Sequence, residues 1–280
     1  MREIHIDAIK EAVKDLCIEA NYNLGSDVKG RLELAKKQET FEIAKDILGS
    51  IIKNAEIAES ERVPMCQDTG MACVFVEIGQ EVHIIGGGLH DAINAGVREG
   101  YSKGFLRKSV VADPIRRVNT GDNTPAIIYV DLVEGDGLSI TVAPKGFGSE
   151  NMSALAMLKP SDGLEGVKKF ILDTVRKAGP NACPPMIIGV GIGGTFDKAA
   201  NLAKRAAVRD VELRNSDEYY RDLELELLEE INKLGIGPQG FGGKTTALGV
   251  NIEVFPTHIA GLPVAVNINC HATRHLTARL

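Results

Sequence analysis

The chain has 280 residues, 44% of them hydrophobic and 25% charged, with 32 basic and 38 acidic side chains and a net charge of -6. That balance describes a globular protein long enough to bury a sizeable core. With no basic run and no apolar stretch near membrane-spanning length, nucleic acid and membrane are not expected partners.

The first residues, Met-Arg-Glu-Ile-His, lack an apolar signal core, so a cytoplasmic protein is expected. Five cysteines stand at positions 17, 66, 73, 183 and 270. An odd count spread this widely argues against a disulfide framework and fits a reducing compartment.

Residues 6–60 read as helices. Ile6, Ile9, Val13 and Leu16 recur at helical spacing, 28–35 ends in Lys36-Lys37, and Phe41, Ala44, Leu48, Ile51, Ile52 and Ala55 share one face of 39–58. A turn, Pro64-Met65-Cys66-Gln67-Asp68-Thr69-Gly70, separates these helices from a strand pair expected at 72–78 and 82–85. A helix is predicted over 89–101 and an irregular segment over 103–123. Strands at 126–132 and 138–143 read as a hairpin around Asp136-Gly137, a favoured turn pair.

A glycine loop at 145–151 leads into an expected helix start at 151–158. An amphipathic helix over 163–178 stops at Gly179-Pro180. The strand 186–190 enters Gly191-Ile192-Gly193-Gly194-Thr195, and helices follow at 196–208 and 219–234. The last strands are 246–255 and 263–268, the second delivering Cys270. Strands fall in hairpins and between helices without strict alternation. The fold class is therefore expected to be mixed α+β: a helical N-terminal segment, then mixed or antiparallel sheets covered by helices.

Three cysteines lie in turns: Cys66, Cys183 in Ala-Cys-Pro-Pro, and Cys270 in Asn-Cys-His-Ala. Three thiolates on a four-iron cluster would leave one iron open. A Cys₃His zinc site using His271 or His258 is the competing reading. Cys17, on a helix, and Cys73, in a strand, read as core. Gly189, Gly191 and Gly194 match dinucleotide-loop spacing, but no second strand closes on an acidic residue. The Gly-Gly-Lys-Thr at 242–245 lacks the first glycine of a phosphate loop, where Pro238 stands. Tight turns and close packing are the plainer reading of both glycine runs. Arg107 can hold a carboxylate bidentately, and His258 follows a strand.

The ordered set of motifs resembles the α part of the class I fumarase and tartrate dehydratase family of iron–sulfur hydro-lyases, over about 51–273. The motifs are Cys-Gln-Asp-Thr-Gly at 66–70, Leu-Arg-Lys-Ser at 106–109, Asn-Thr-Gly-Asp-Asn-Thr-Pro-Ala at 119–126 and Lys-Gly-Phe-Gly-Ser-Glu-Asn at 145–151. Ala-Cys-Pro-Pro at 182–185, Gly-Gly-Thr at 193–195, Gly-Gly-Lys at 242–244, His258 and Cys270 complete it.

The resemblance implies a single catalytic domain over 1–280, with 1–60 as its helical segment. It implies a [4Fe–4S] cluster on Cys66, Cys183 and Cys270, catalytic roles for Asp68 and His258, and substrate contacts from Gln67, Arg107 and the Gly148 backbone. The implied reaction is the tricarboxylic acid cycle's reversible hydration of fumarate to (S)-malate, with L-tartrate dehydration as the alternative. The family's base belongs to a second part, so the chain is expected to be an α subunit working with a β subunit in a hetero-oligomer.

Overall fold

A computed structural model describes all residues, Met1 to Leu280. Two compact units are present, the first made of Met1–Gly25, Asn54–Phe147 and Arg274–Leu280, the second of Ser26–Lys53 and Gly148–Thr273. Both combine helices with mixed sheets, as the α+β expectation requires.

In the first unit, strand β2 (Met71–Gly79) is the centre of a four-stranded sheet. It pairs in parallel with β4 (Ile127–Val133) and antiparallel with β5 (Leu138–Lys145), and β10 (Leu276–Arg279) closes the far side of β5. A separate parallel pair joins β1 (Arg2–His5) to β3 (Val82–Ile85). Helices α1 (Ile6–Tyr22) and α4 (Leu89–Lys103) share a core with Val74, Val76, Ile140 and Val142 of the sheet. The helices meet closely because Gly96 and Gly100, one turn apart on α4, leave room. A Cβ on Gly96 would stand 2.6 Å from Lys10 O, and one on Gly100 would stand 2.9 Å from Cys17 Cβ.

In the second unit the sheet order is β6 (Ala154–Leu158), β9 (Leu262–Asn269), β7 (Met186–Gly193), β8 (Ala247–Phe255), with β7 and β8 parallel. Helices α6 (Gly163–Ala178) and α8 (Glu218–Lys233) pack Ile171, Val175, Leu227 and Ile231 against Ile188, Val190, Ile252 and Ile268. Helix α7 (Phe196–Ala206) lies over Gly189 and Gly191, side chains of which would point opposite to those of Ile188 and Val190. The remaining helices are α2 (Ser26–Gln38), α3 (Glu42–Glu61) and the single turn α5 (Phe147–Glu150). No helix is long and apolar enough to cross a membrane.

Three local expectations differ from the structure. The predicted hairpin of β4 and β5 is no hairpin, because β2 lies between them. Residues 134–137 arch over the end of β2, where Gly79 N donates to Gly137 O at 2.8 Å and Glu81 N to Gly135 O at 3.0 Å. The Asp-Gly signal marks a reversal of the chain and is silent about which strand fills the gap. Likewise β2 and β3 are not partners, since β3 pairs with β1.

The stretch at 151–158 holds a strand, β6, on the edge of the second sheet, pairing Ala154 with Val266. Ala, Leu and Met favour helix intrinsically, and strand pairing overrides that preference here.

The glycines of 189–193 belong to β7 itself. A Cβ on Gly191 would stand 2.1 Å from Ala199 O, and one on Gly189 would stand 2.2 Å from Ala203 O. They exist for helix-on-strand contact. Gly191→Ala should therefore destabilise the protein by at least about 1–3 kcal/mol. Gly30→Ala, on an exposed stretch of α2 with nothing within 4 Å, should stabilise it by about 0.5–1 kcal/mol. Urea unfolding of both variants checks the pair; equal effects would contradict the packing argument.

Candidate active site

The first unit presents the turn that carries Cys66. Its thiol lies 3.6 Å from Gln67 Oε1 and accepts Asp68 N–H at 3.4 Å. The Asp68 carboxylate is fixed in place. Its Oδ1 accepts Gly70 N–H at 3.0 Å and its Oδ2 accepts Phe147 N–H at 2.8 Å, so it binds the cysteine turn to the residue that follows β5 and Gly146. Arg107 is exposed, and its carbonyl accepts the Thr69 hydroxyl at 3.1 Å. The structure thus holds Gln67, Asp68 and the Arg107 backbone around one loop.

Residues that sequence reasoning gave no role build this loop. Tyr101, fully buried on α4, donates to Thr69 O at 2.7 Å and lies 3.0 Å from Gly70 O. Asn123, also fully buried, donates to Gly70 O at 3.1 Å and accepts Ser109 N–H at 2.7 Å and Val110 N–H at 3.2 Å. It therefore fastens the cysteine turn to the segment after Arg107. Burial pushes the Tyr101 phenol well above its ordinary pKa, so it is held as a neutral donor. Arg274, 4% exposed, donates through Nη2 to Asp68 O. The only advance signal was that Asn123 lies in a motif with no other assigned task.

The second unit brings two more cysteines to one place. Cys183 ends a short 3₁₀ turn (Gly179–Ala182) with a left-handed backbone, φ 51°. It precedes β7, and Cys270 follows β9. Since β7 and β9 are antiparallel, with Ile187 opposite Asn269, the two cysteine turns are neighbours. His271 joins them, its N–H donating to Cys183 O at 3.3 Å and its Nδ1 lying 3.0 Å from that oxygen. Gly148 is exposed, and a Cβ there would be 3.7 Å from Asn181 O, two residues before Cys183.

His258 is not among them. It lies in the turn between β8 and β9, where Thr257 Oγ1 donates to Gly194 O at 2.9 Å. That is the opposite end of β7 from Cys183. The length of β7 between them is roughly 25 Å. Its Nδ1 accepts Ala260 N–H at 3.2 Å, which places the proton on an exposed Nε2.

The family profile described as fumarate hydratase (Fumerase) matches residues 10–279. The chain belongs to this family. Among its relatives, a putative L(+)-tartrate dehydratase subunit alpha of Methanocaldococcus jannaschii is 46% identical over 282 residues, covering 97% of each chain. The L(+)-tartrate dehydratase subunit alpha of Escherichia coli strain UTI89 is 33% identical over 279 residues, covering 98% of this chain and 91% of its own. Membership makes the chain a hydro-lyase.

Thiols are the donor type that the family's iron–sulfur chemistry uses. None of the five cysteines is in a disulfide, and burial separates them: Cys17 and Cys73 are buried, Cys66 and Cys270 are half-buried and Cys183 is exposed. Burial alone pushes the Cys17 thiol up to about 12, so it stays protonated and unavailable as a thiolate ligand. No three His, Cys, Asp or Glu side chains within either unit gather into a group able to hold a metal. The second unit offers two thiols and the first offers one. Labelling of the native, metal-free chain with a maleimide should modify Cys66, Cys183 and Cys270 first, with Cys17 and Cys73 reacting only on unfolding. Peptide mass mapping checks this; early modification of Cys17 would contradict it.

Proposed function

We propose that the chain is the cluster-bearing α subunit of a two-subunit hydro-lyase acting on a four-carbon dicarboxylate. Cys66, Cys183 and Cys270 would hold the [4Fe–4S] cluster, and the observation that carries this is the burial pattern just described: the three unburied thiols are the three in turns. When bound, the cluster supplies a Lewis acid at its fourth iron, which no side chain ligates.

The chain's own residues do the binding. Arg107 offers a planar fork to one carboxylate. The Asp68 carboxylate, held by two backbone N–H groups, keeps lone pairs to accept a substrate hydroxyl. Gln67 and the Gly148 N–H add polar contacts. The base that takes the carbon-bound proton is assigned to the β subunit. The names of the relatives, each a subunit alpha, support a partner. A cytoplasmic location, from the reducing-type cysteine usage, belongs to the same proposal.

Fumarate and (S)-malate are one substrate pair, and L-tartrate is the other. The tartrate dehydratase names of relatives at 46% and 33% identity favour testing tartrate on equal terms. The experiment is anaerobic reconstitution of the chain with its β partner, followed by assays with fumarate, (S)-malate and L-tartrate. Turnover of one of them, with iron bound, is expected; an iron-loaded complex that turns over none would overturn the reading. In the same assay Arg107→Lys should lower kcat/KM at unchanged iron content, because lysine keeps the charge and loses the fork.

His258 is proposed to donate from Nε2 to a substrate carboxylate. Standing a strand's length from Cys183 and Cys270, with helices on both faces of the sheet, it would reach that substrate from a second copy of the chain. Co-expression of a His258→Ala chain with a Cys183→Ser chain, each inactive alone, should then restore a fraction of the activity. Continued inactivity of the mixture would exclude this route, and full activity of His258→Ala alone would remove His258 from the site.

A further inference from the structure

Gln239 lies in the short 3₁₀ turn Pro238–Gly240 and has a left-handed backbone, φ 53°. L-residues with long side chains avoid that conformation. Glycines stand at 237, 240, 242 and 243, all with positive φ, so every other left-handed position of the loop is a glycine. At 239 it keeps a glutamine.

That side chain touches both cysteine turns of the second unit. Gln239 Nε2 donates to Pro184 O at 2.9 Å, and its backbone N–H donates to the same oxygen at 2.8 Å. Nε2 also lies 3.1 Å from His271 Nδ1. Pro184 follows Cys183, and His271 follows Cys270. One amide nitrogen therefore spans two turns that are 87 residues apart in sequence.

The loop itself is rigid. A Cβ on Gly240 would stand 2.4 Å from Pro180 Cβ, so the loop presses on the turn before Cys183. Gly237 N donates to Thr246 Oγ1 at 3.2 Å, and Lys244 N donates to the buried Glu39 carboxylate at 2.7 Å. Glu39 also accepts Thr40 and Phe41 N–H groups at 2.9 and 3.0 Å.

We propose that Gln239 is a positioning residue that clamps the Cys183 and Cys270 turns together, so that their thiols are presented as a pair. This rests on the reading of both cysteines as cluster ligands. Loss of partners that orient ligands from outside the coordination sphere typically costs about 10- to 100-fold in metal affinity. Here the clamp acts on the backbone that carries each ligand.

Two variants of the full chain test it. Gln239→Leu keeps the size and removes the amide. Gln239→Gly removes the side chain and also relieves the left-handed backbone, so misfolding from strain is avoided. The first readout needs no cluster: amide hydrogen exchange at His271 in the metal-free chain should quicken about tenfold in both variants, with the amides of β9 unchanged. The second is iron loss to a chelator after anaerobic reconstitution, expected to be about 10- to 100-fold faster. The spectrum of the reduced cluster should also be altered in whatever fraction survives.

Unchanged exchange at His271 in both variants would overturn the clamp. Faster exchange together with wild-type iron retention and an unaltered spectrum would overturn its role in presenting the thiols. A wild-type chain that binds no iron would defeat the cluster reading and leave the exchange result to decide the clamp on its own.

Discussion

The three thiols of this chain that are not buried sit on turns, and a turn leaves carbonyls without ladder partners. Buried carbonyls left unpaired cost roughly 1–3 kcal/mol each. This constraint shapes both units. In the first, Thr69 O and Gly70 O are met by Tyr101 and Asn123, and Asp68 O by Arg274. In the second, Cys183 O is met by His271, and Pro184 O by Gln239. Each solution draws side chains from distant parts of the chain. Rigid elements carry them: α4 holds Tyr101, and the end of β9 positions His271.

Much of this was legible in sequence where the signal is local. Helical periodicity located α1, α3, α4, α6 and α8 within a few residues, because each buries one apolar face. The context of the cysteines separated Cys17 and Cys73, on apolar faces, from the three in turns. Strand partners were not legible. Alternation shows that a segment is a strand and says nothing about which neighbour it meets. Hence β2 was not foreseen between β4 and β5, and the terminal strands β1 and β10, whose partners are distant in sequence, were not foreseen at all.

The polar scaffold was illegible for a different reason. Tyr101 reads as one more apolar residue on an amphipathic helix, and Asn123 and Gln239 read as ordinary loop residues. Their importance lies in bonds across 31, 53 and 55 positions of sequence, and no periodicity encodes such pairs. The unusual backbone at Asn123 and Gln239, φ 63° and 53°, appears only in three dimensions.

Ligation of a metal by Cys66, as proposed, would also change the loop around it. In the thiol state the Cys66 proton can be shared with Gln67 Oε1 at 3.6 Å, while Asp68 N–H points at the sulfur from 3.4 Å. Ligation requires the thiolate. On the proposed reading the proton would leave, the Gln67 Oε1 contact would lose its donor, and the Asp68 N–H bond would meet a charged acceptor. Asp68 and Gln67 would then differ in their freedom. The Asp68 carboxylate is held by the Gly70 and Phe147 N–H groups before any substrate arrives. Gln67 would lose its thiol partner and carries both a donor and an acceptor. A substrate with one additional hydroxyl needs such a pair of groups to be told apart from one without it, and in the proposed site the side chain that would meet that requirement beside the thiol is Gln67.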